Sequence, residues 1–203
     1  MGNTTGAGYG AAQADVTMRI FIALDIPPEI RGRIGEFAER ARPYAPEARW
    51  ARIEGLHVTL KFVGEVSHAK VQEIRSALPA VKTEPFDVKF SGAGFFPGPN
   101  APRVFWIGVE GGECLAALAA AIDNTAHGLG IAKETRAFSP HLTLARSGSG
   151  PGSGQLLRPL RNLVQAEAGV QFGTMTAREF FLYRSELQRG GARYTKLERF
   201  GLH

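Results

Sequence analysis

The sequence predicts an α+β fold built as two similar lobes. Two observations carry this. The segments His57-Val58-Thr59-Leu60 and His141-Leu142-Thr143-Leu144 repeat one pattern of His, apolar residue, Thr and Leu. The runs ahead of them also repeat, each half offering a strand, a helix and then the strand that carries the motif. With 203 residues, 44% of them hydrophobic, there is ample material for one domain made of two halves.

The elements follow in chain order. Residues 1–17 read as a disordered tail, because Met1 to Val16 are rich in Gly, Ala, Thr and Asn and lack the charged and apolar regions of a secretory signal. The domain spans 18–203. Met18–Asp25 is an apolar run rich in β-formers, hence a buried strand. Pro27 and Pro28 open a helix from Glu29 to about Arg42, and Pro43 and Pro46 end it. Trp50–Ile53 and His57–Val63 are short strands joined at Glu54 and Gly55. Ser67 caps a second helix that buries Val71, Ile74, Ala77 and Leu78. Phe86–Phe90 is a strand and Phe95–Pro102 a Gly/Pro loop. Val104–Val109 is an apolar strand. A long Ala-rich helix runs from Glu113 to His127, closed by Gly128 and Gly130. The second motif lies on a strand from His141 to Ala145. Residues 147–154 form a Gly/Ser loop, and a helix follows to about Gln165. Val170–Thr174, Ala177–Ser185 and Arg193–Arg199 alternate as strands, with a turn at 189–191.

Composition narrows the function. The formal charge is +5, from 24 basic against 19 acidic residues, and the sequence pI is about 9.7. This suits a polyanionic substrate, although the basic residues are spread rather than clustered. Cys114 is the only cysteine. It excludes an intramolecular disulfide and a Cys-based zinc site, reads as a small core or helix residue, and points to a reducing cytoplasm. No apolar run is long enough to cross a membrane. No interface signature is evident, so the expected state is a monomer.

The motif is chemistry because of strand parity. Residues i and i+2 share a face, so His57 and Thr59 point one way while Val58 and Leu60 anchor the strand on the other. His141 and Thr143 repeat this. Histidine titrates near neutrality, so one imidazole can serve as base while the other, protonated, serves as acid. Hydrolysis of a phosphodiester needs such a pair on opposite sides of phosphorus. The Thr hydroxyls can donate to the non-bridging oxygens. Arg146 would add a full charge, but strand parity alone does not put it on the His141 face; a turn after Ala145 would. No Asp or Glu lies at ligand spacing from either His, so neither a metal nor another cofactor is expected. His68, His127 and His203 read as structural or exposed.

The paired motifs resemble the 2H phosphoesterase superfamily, and within it the RNA 2′,3′-cyclic phosphodiesterases, also called 2′-5′ RNA ligases. The segments Arg19–Leu24, Trp50–Glu65, Pro102–Gly108, Phe138–Arg146, Phe181–Leu187 and Gly191–Tyr194 carry the likeness. The resemblance implies a two-lobed α+β fold whose antiparallel sheets line a central cleft with helices outside. It implies metal-independent hydrolysis of RNA 2′,3′-cyclic phosphate ends to 2′-phosphates, with 2′-5′ ligation when an RNA 5′-hydroxyl replaces water. His57 would then be the general acid and His141 the general base, with Thr59, Thr143 and Arg146 holding the phosphate. Phe21 is placed to meet a nucleobase, while a core strand residue accounts for it equally well. A cyclic nucleotide, an ADP-ribose cyclic phosphate or a 2′-5′ oligonucleotide would suit the same site. A module that binds RNA ends without turnover is the non-enzymatic alternative.

Overall fold

The computed structural model describes residues 17–148, 155–188 and 191–203. Nine strands, β1 (Thr17–Asp25), β2 (Arg49–Trp50), β3 (His57–Ser67), β4 (Phe86–Phe96), β5 (Val104–Glu110), β6 (His141–Arg146), β7 (Gln171–Ala177), β8 (Glu179–Gln188) and β9 (Gly191–Gly201), form two sheets among these residues. The helices are α1 (Pro28–Ala41), α2 (His68–Ala77), α3 (Gly112–Gly128) and α4 (Leu160–Ala166). One sheet has the order β3-β1-β8-β9, the other β2-β6-β5-β4-β7, and every pairing is antiparallel.

The sheets match strand for strand once β2 is set aside: β3 corresponds to β6, β1 to β5, β8 to β4 and β9 to β7. Register supports the match. Asp25, Leu24 and Ala23 of β1 lie opposite His57, Val58 and Thr59. Gly108, Ile107 and Trp106 of β5 lie opposite His141, Leu142 and Thr143. Each lobe borrows from the other half of the chain, since β4 joins the β5–β6 sheet and β8 and β9 join the β1–β3 sheet.

Helices cover one face of each sheet. α2 packs on β1 and β3, α3 on β3 and β4, α1 on β7, and α4 on β4. Beneath them runs a single apolar cluster that includes Ile22, Leu24, Val58, Leu60, Phe105, Ile107, Leu142, Leu144 and Phe180. The spacing of Ile30, Ile34, Phe37, Ala38 and Ala41 gives α1 its buried stripe. Ser67 caps α2 as expected, its hydroxyl accepting from the Lys70 amide at 3.2 Å.

Several elements depart from the sequence reading. The expected strand at Trp50–Ile53 stops at Trp50, and Ile53–Gly55 instead winds into a 3-10 turn closed by the Leu56 amide on the Ile53 carbonyl at 3.2 Å. β3 runs on to Ser67, and β4 continues past Phe90 into the expected loop. The continuation is permitted by Gly92, whose φ of 66° forms an irregularity between Ser91 and Ala93 that a side chain would strain. Phe95 and Phe96 are therefore sheet residues. The last three strands are each longer than expected, and β1 starts at Thr17. Cys114 is on α3 but exposed, because Leu115, Leu118, Ala119 and Ile122 take the buried stripe. Residues 1–16, most of the Gly/Ser loop and two residues of the 189–191 turn lie outside the described residues. No helix among the described residues is long and apolar enough to cross a membrane.

Candidate active site

The two motif strands have the same burial pattern over six residues. From His57 to Phe62, and from His141 to Arg146, side chains run half-buried, buried, half-buried, buried, buried, exposed. Alternation breaks at the fourth and fifth residues because each strand bulges there. Partner register jumps from Thr59 to Lys61 opposite Ala23 and Ile22, and from Thr143 to Ala145 opposite Trp106 and Phe105. A bulge adds one residue and reverses parity beyond it. Arg146 thereby returns to the His141–Thr143 face, and its Nη2 donates to Thr143 Oγ1 at 3.4 Å. The bulge does this while the strand continues, so no turn after Ala145 is needed.

Both imidazoles are held alike. His57 Nδ1 lies 2.7 Å from the Gly55 carbonyl, and His141 Nδ1 lies 2.7 Å from the Ser139 carbonyl. A carbonyl can only accept, so Nδ1 carries the proton in each ring. Nε2 is left as the working atom: a base when the ring is neutral, a donor when it is charged. The strands that carry the two rings approach one another. Both His–Thr pairs sit on the sheet faces opposite Val58, Leu60, Leu142 and Leu144, which belong to the common core.

The surroundings differ between lobes. His57 rests on a separate aromatic cluster: the Phe21 ring centroid is 4.5 Å away, Tyr183 stacks on Phe21 at 5.1 Å, and Tyr194 meets His57 edge-on at 4.9 Å. Burial lowers the His57 pKa from its ordinary 6.5, outweighing the Gly55 carbonyl and the Asp25 carboxylate, which raise it. Burial likewise raises the Tyr183 phenol, so it stays a neutral ring. Asp25 ties up the nearby cations, accepting from Arg31 Nη2 at 2.7 Å and pairing with Lys196. Burial alone would raise its carboxyl, but the Lys196 and Ile26 hydrogen bonds and the Arg31 charge hold it below its usual 3.8.

His141 is set against Phe96, edge-on at 4.9 Å, and Phe96 packs on Trp106 at 5.1 Å. Arg146 and Arg49 supply positive charge. They lie directly opposite in the β2–β6 register, so they share a side, and among the described residues neither is in an ion pair.

The fold thus brings His141, Thr143 and Arg146 to one face of one sheet, and His57 and Thr59 to the matching face of the other. Phe21 is only 3% exposed and serves as a floor under His57. Sequence reasoning missed Arg49, which a two-residue strand aligns with Arg146. It also missed Phe62, which is 60% exposed. Nothing in the sequence marks either, since Lys61 reads as a polar residue and the bulge and the β2–β6 register are set by pairing with neighbouring strands.

A family model described as LigT like Phosphoesterase matches the chain twice, over residues 24–106 and 107–194, one motif in each match. The chain belongs to the LigT-like phosphoesterase family. A protein of Methanothermobacter thermautotrophicus named RNA 2′,3′-cyclic phosphodiesterase is 33% identical over 187 residues, covering 91% of this chain and 99% of the relative. An Escherichia coli protein of the same name is 32% identical over 186 residues, covering 91% and 96%. Among solved structures, E. coli LigT complexed with 3′-AMP superposes with a TM-score of 0.73 at 29% identity, covering 92% of this chain and 99% of that one. TT0787 of Thermus thermophilus gives 0.73 at 29%, covering 91% and 98%. In this LigT-like phosphoesterase, each match contains one of the two motif strands, and the two-lobed α+β fold expected from the sequence is the one observed.

Proposed function

We propose that this protein hydrolyses 2′,3′-cyclic phosphate ends of RNA to 2′-phosphates, acting as a monomer. The observation that carries the reading is the matched pair of imidazoles, each with Nδ1 fixed on a carbonyl and Nε2 free. Membership of the family, and the shared name of its relatives, support the substrate class.

In the proposed step, His141 Nε2 takes a proton from water as its oxygen attacks phosphorus. The P–O3′ bond breaks, and His57 Nε2–H gives its proton to O3′. The phosphate stays on O2′. His141 leaves charged and His57 neutral, and exchange with solvent resets both. Charge on the non-bridging oxygens is met by Thr59, Thr143 and Arg146, with Arg49 beside them. Burial disfavours the charged His57 in the free protein. A bound phosphodiester brings a negative charge that favours the imidazolium, so substrate itself arms the acid. Exposed Cys114, without a cysteine partner in the chain, fits a reducing compartment such as the cytoplasm.

The test is incubation with a short RNA ending in a 2′,3′-cyclic phosphate, in EDTA. Conversion to a 2′-phosphate is expected, and His57→Ala or His141→Ala should each slow it by about 10²–10⁴-fold. Formation of a 3′-phosphate, or no turnover, overturns the reading.

A further inference from the structure

The face of the first sheet that carries His57 continues beyond it toward the start of β1. Two residues before Phe21, Arg19 lies opposite Glu65 of β3 on one side and Ser185 of β8 on the other. Directly opposed residues share a side of a sheet, and so do residues two apart on a strand. Arg19, Glu65 and Ser185 therefore stand on the same face as Phe21 and His57. Arg19 is about 7 Å along β1 from Phe21, whose ring centroid is 4.5 Å from that of His57.

A pocket of about 250 Å³ opens there, with Arg19, Glu65, Ser185 and Leu187 in its lining. Arg19 and Glu65 are opposite in sign and opposite in register, yet they do not pair. Among the described residues neither is in any ion pair. Arg184, also in the lining, is paired with Glu186 at 3.0 Å, which leaves Arg19 as the cation open to a ligand. Leu187 adds an apolar side chain that is 80% exposed.

This set of groups discriminates. A bare phosphate attracted by Arg19 would meet a like charge at Glu65. A ligand that carries both an anion and a hydroxyl donor satisfies the two together. A ribonucleotide linkage is such a ligand. Arg19 and the Ser185 hydroxyl can donate to its non-bridging oxygens, while Glu65 accepts from the neighbouring 2′-hydroxyl.

We infer that this pocket holds the nucleotide that precedes the cyclic end. Arg19 meets the phosphate that links it to the last nucleoside, Glu65 meets its 2′-hydroxyl, and Leu187 lies against its base. The inference rests on the phosphodiester reading above and extends it from the end group to the chain behind it. It makes the substrate a strand of at least two nucleotides rather than a free cyclic nucleotide. It also lets the protein tell ribose from deoxyribose at a residue that takes no part in the chemistry.

Three substrates separate these duties: adenosine 2′,3′-cyclic phosphate, a diadenosine ending in that group, and the same dinucleotide with 2′-deoxyribose in its first residue. Values of kcat/KM are measured for the wild type, Arg19→Gln and Glu65→Ala. Binding of the matching 2′-phosphate products is measured calorimetrically. The wild type should favour the all-ribose dinucleotide over both other substrates by about fivefold or more. Arg19→Gln should erase most of the advantage over the mononucleotide. Glu65→Ala should make the ribose and deoxyribose dinucleotides equal. The mononucleotide does not reach the pocket, so its turnover should be the same in all three proteins. Equal wild-type rates on the two dinucleotides overturn the inference. So does a loss in Arg19→Gln that the mononucleotide shares, which would make Arg19 a support for Phe21. The binding arm stands without turnover. A wild type that hydrolyses none of the three, yet binds the dinucleotide product with this dependence on Arg19 and on ribose, would sink the phosphodiesterase reading and leave the pocket.

Discussion

Lys61 Nζ donates to Asp123 Oδ1 at 2.5 Å, an ion pair taken almost wholly out of water between β3 and α3. Lys61 also donates to the Ala132 carbonyl at 2.7 Å, and Asp123 accepts from the Glu134 amide at 3.2 Å. The bulge that turns Phe62 outward turns Lys61 inward, so this network connects one motif strand to the segment ahead of His141. Breaking it by Lys61→Met leaves a buried carboxylate without its cation and should cost about 3–5 kcal/mol in urea denaturation. Adding Asp123→Leu should restore most of that loss, because the stranded charge is gone. Turnover should fall in the single variant through slackening of residues 132–140.

The same pair makes stability depend on acid. Burial raises the Asp123 carboxyl, but the Lys61 and Glu134 bonds prevail and hold it below 3.8. A carboxyl depressed on folding stabilises the fold above its unfolded value and ceases to do so as pH falls through its folded value. Urea midpoints should therefore hold steady above about pH 4 and fall below it, and Asp123→Asn should flatten this acid limb.

His57 should titrate below its ordinary 6.5 in the free protein, read from its imidazole proton shifts. Asp25 raises it, so Asp25→Asn should move the midpoint lower still. Inorganic phosphate, placing negative charge nearby, should move it upward. A midpoint above 6.5 in the free protein would contradict the dominance of burial.

Arg146→Lys should behave as a loss rather than a conservative change. Lysine keeps the charge but not the planar fork that can meet Thr143 and a phosphate oxygen together. Loss of a charge-assisted bond of about 1.5–3 kcal/mol corresponds to a decrease in kcat/KM of about 10–10²-fold. Arg49→Ala, removing a neighbouring charge, should raise KM more than it lowers kcat.

Gly94→Ala tests the second lobe's floor. A Cβ at Gly94 would collide with the Trp106 ring, and Trp106 faces Thr143 across the β5–β6 pair. The indole must move, with a destabilisation of about 1–3 kcal/mol and a fall in turnover larger than that loss of stability would explain.

Much of the site was legible because parity is a local rule. His57, Thr59, His141 and Thr143 sort themselves from two residues of sequence each, and the apolar residues between them mark the buried side. Arg146 escaped that rule because a bulge is decided by the partner strand, not by the residues that bulge. Phe62 escaped for the same reason, reading as one more β-former in an apolar run. The extension of β4 past Phe90 depended on the φ of Gly92, which the sequence hides behind a Gly/Pro-rich stretch that resembles a loop. The pairing of β8 with β1 joins residues far apart in the chain, and no periodicity reports it.

That pairing also separates the unit of inheritance from the unit of folding. The two family matches meet between residues 106 and 107, in the middle of β5. The chain up to residue 106 supplies β1 and β3 to one sheet and β2 and β4 to the other, so neither side of that junction encloses a sheet of its own. A chain cut at that junction would bare the flank of β1 where β8 now lies, and would regain its shape only by finding its other half.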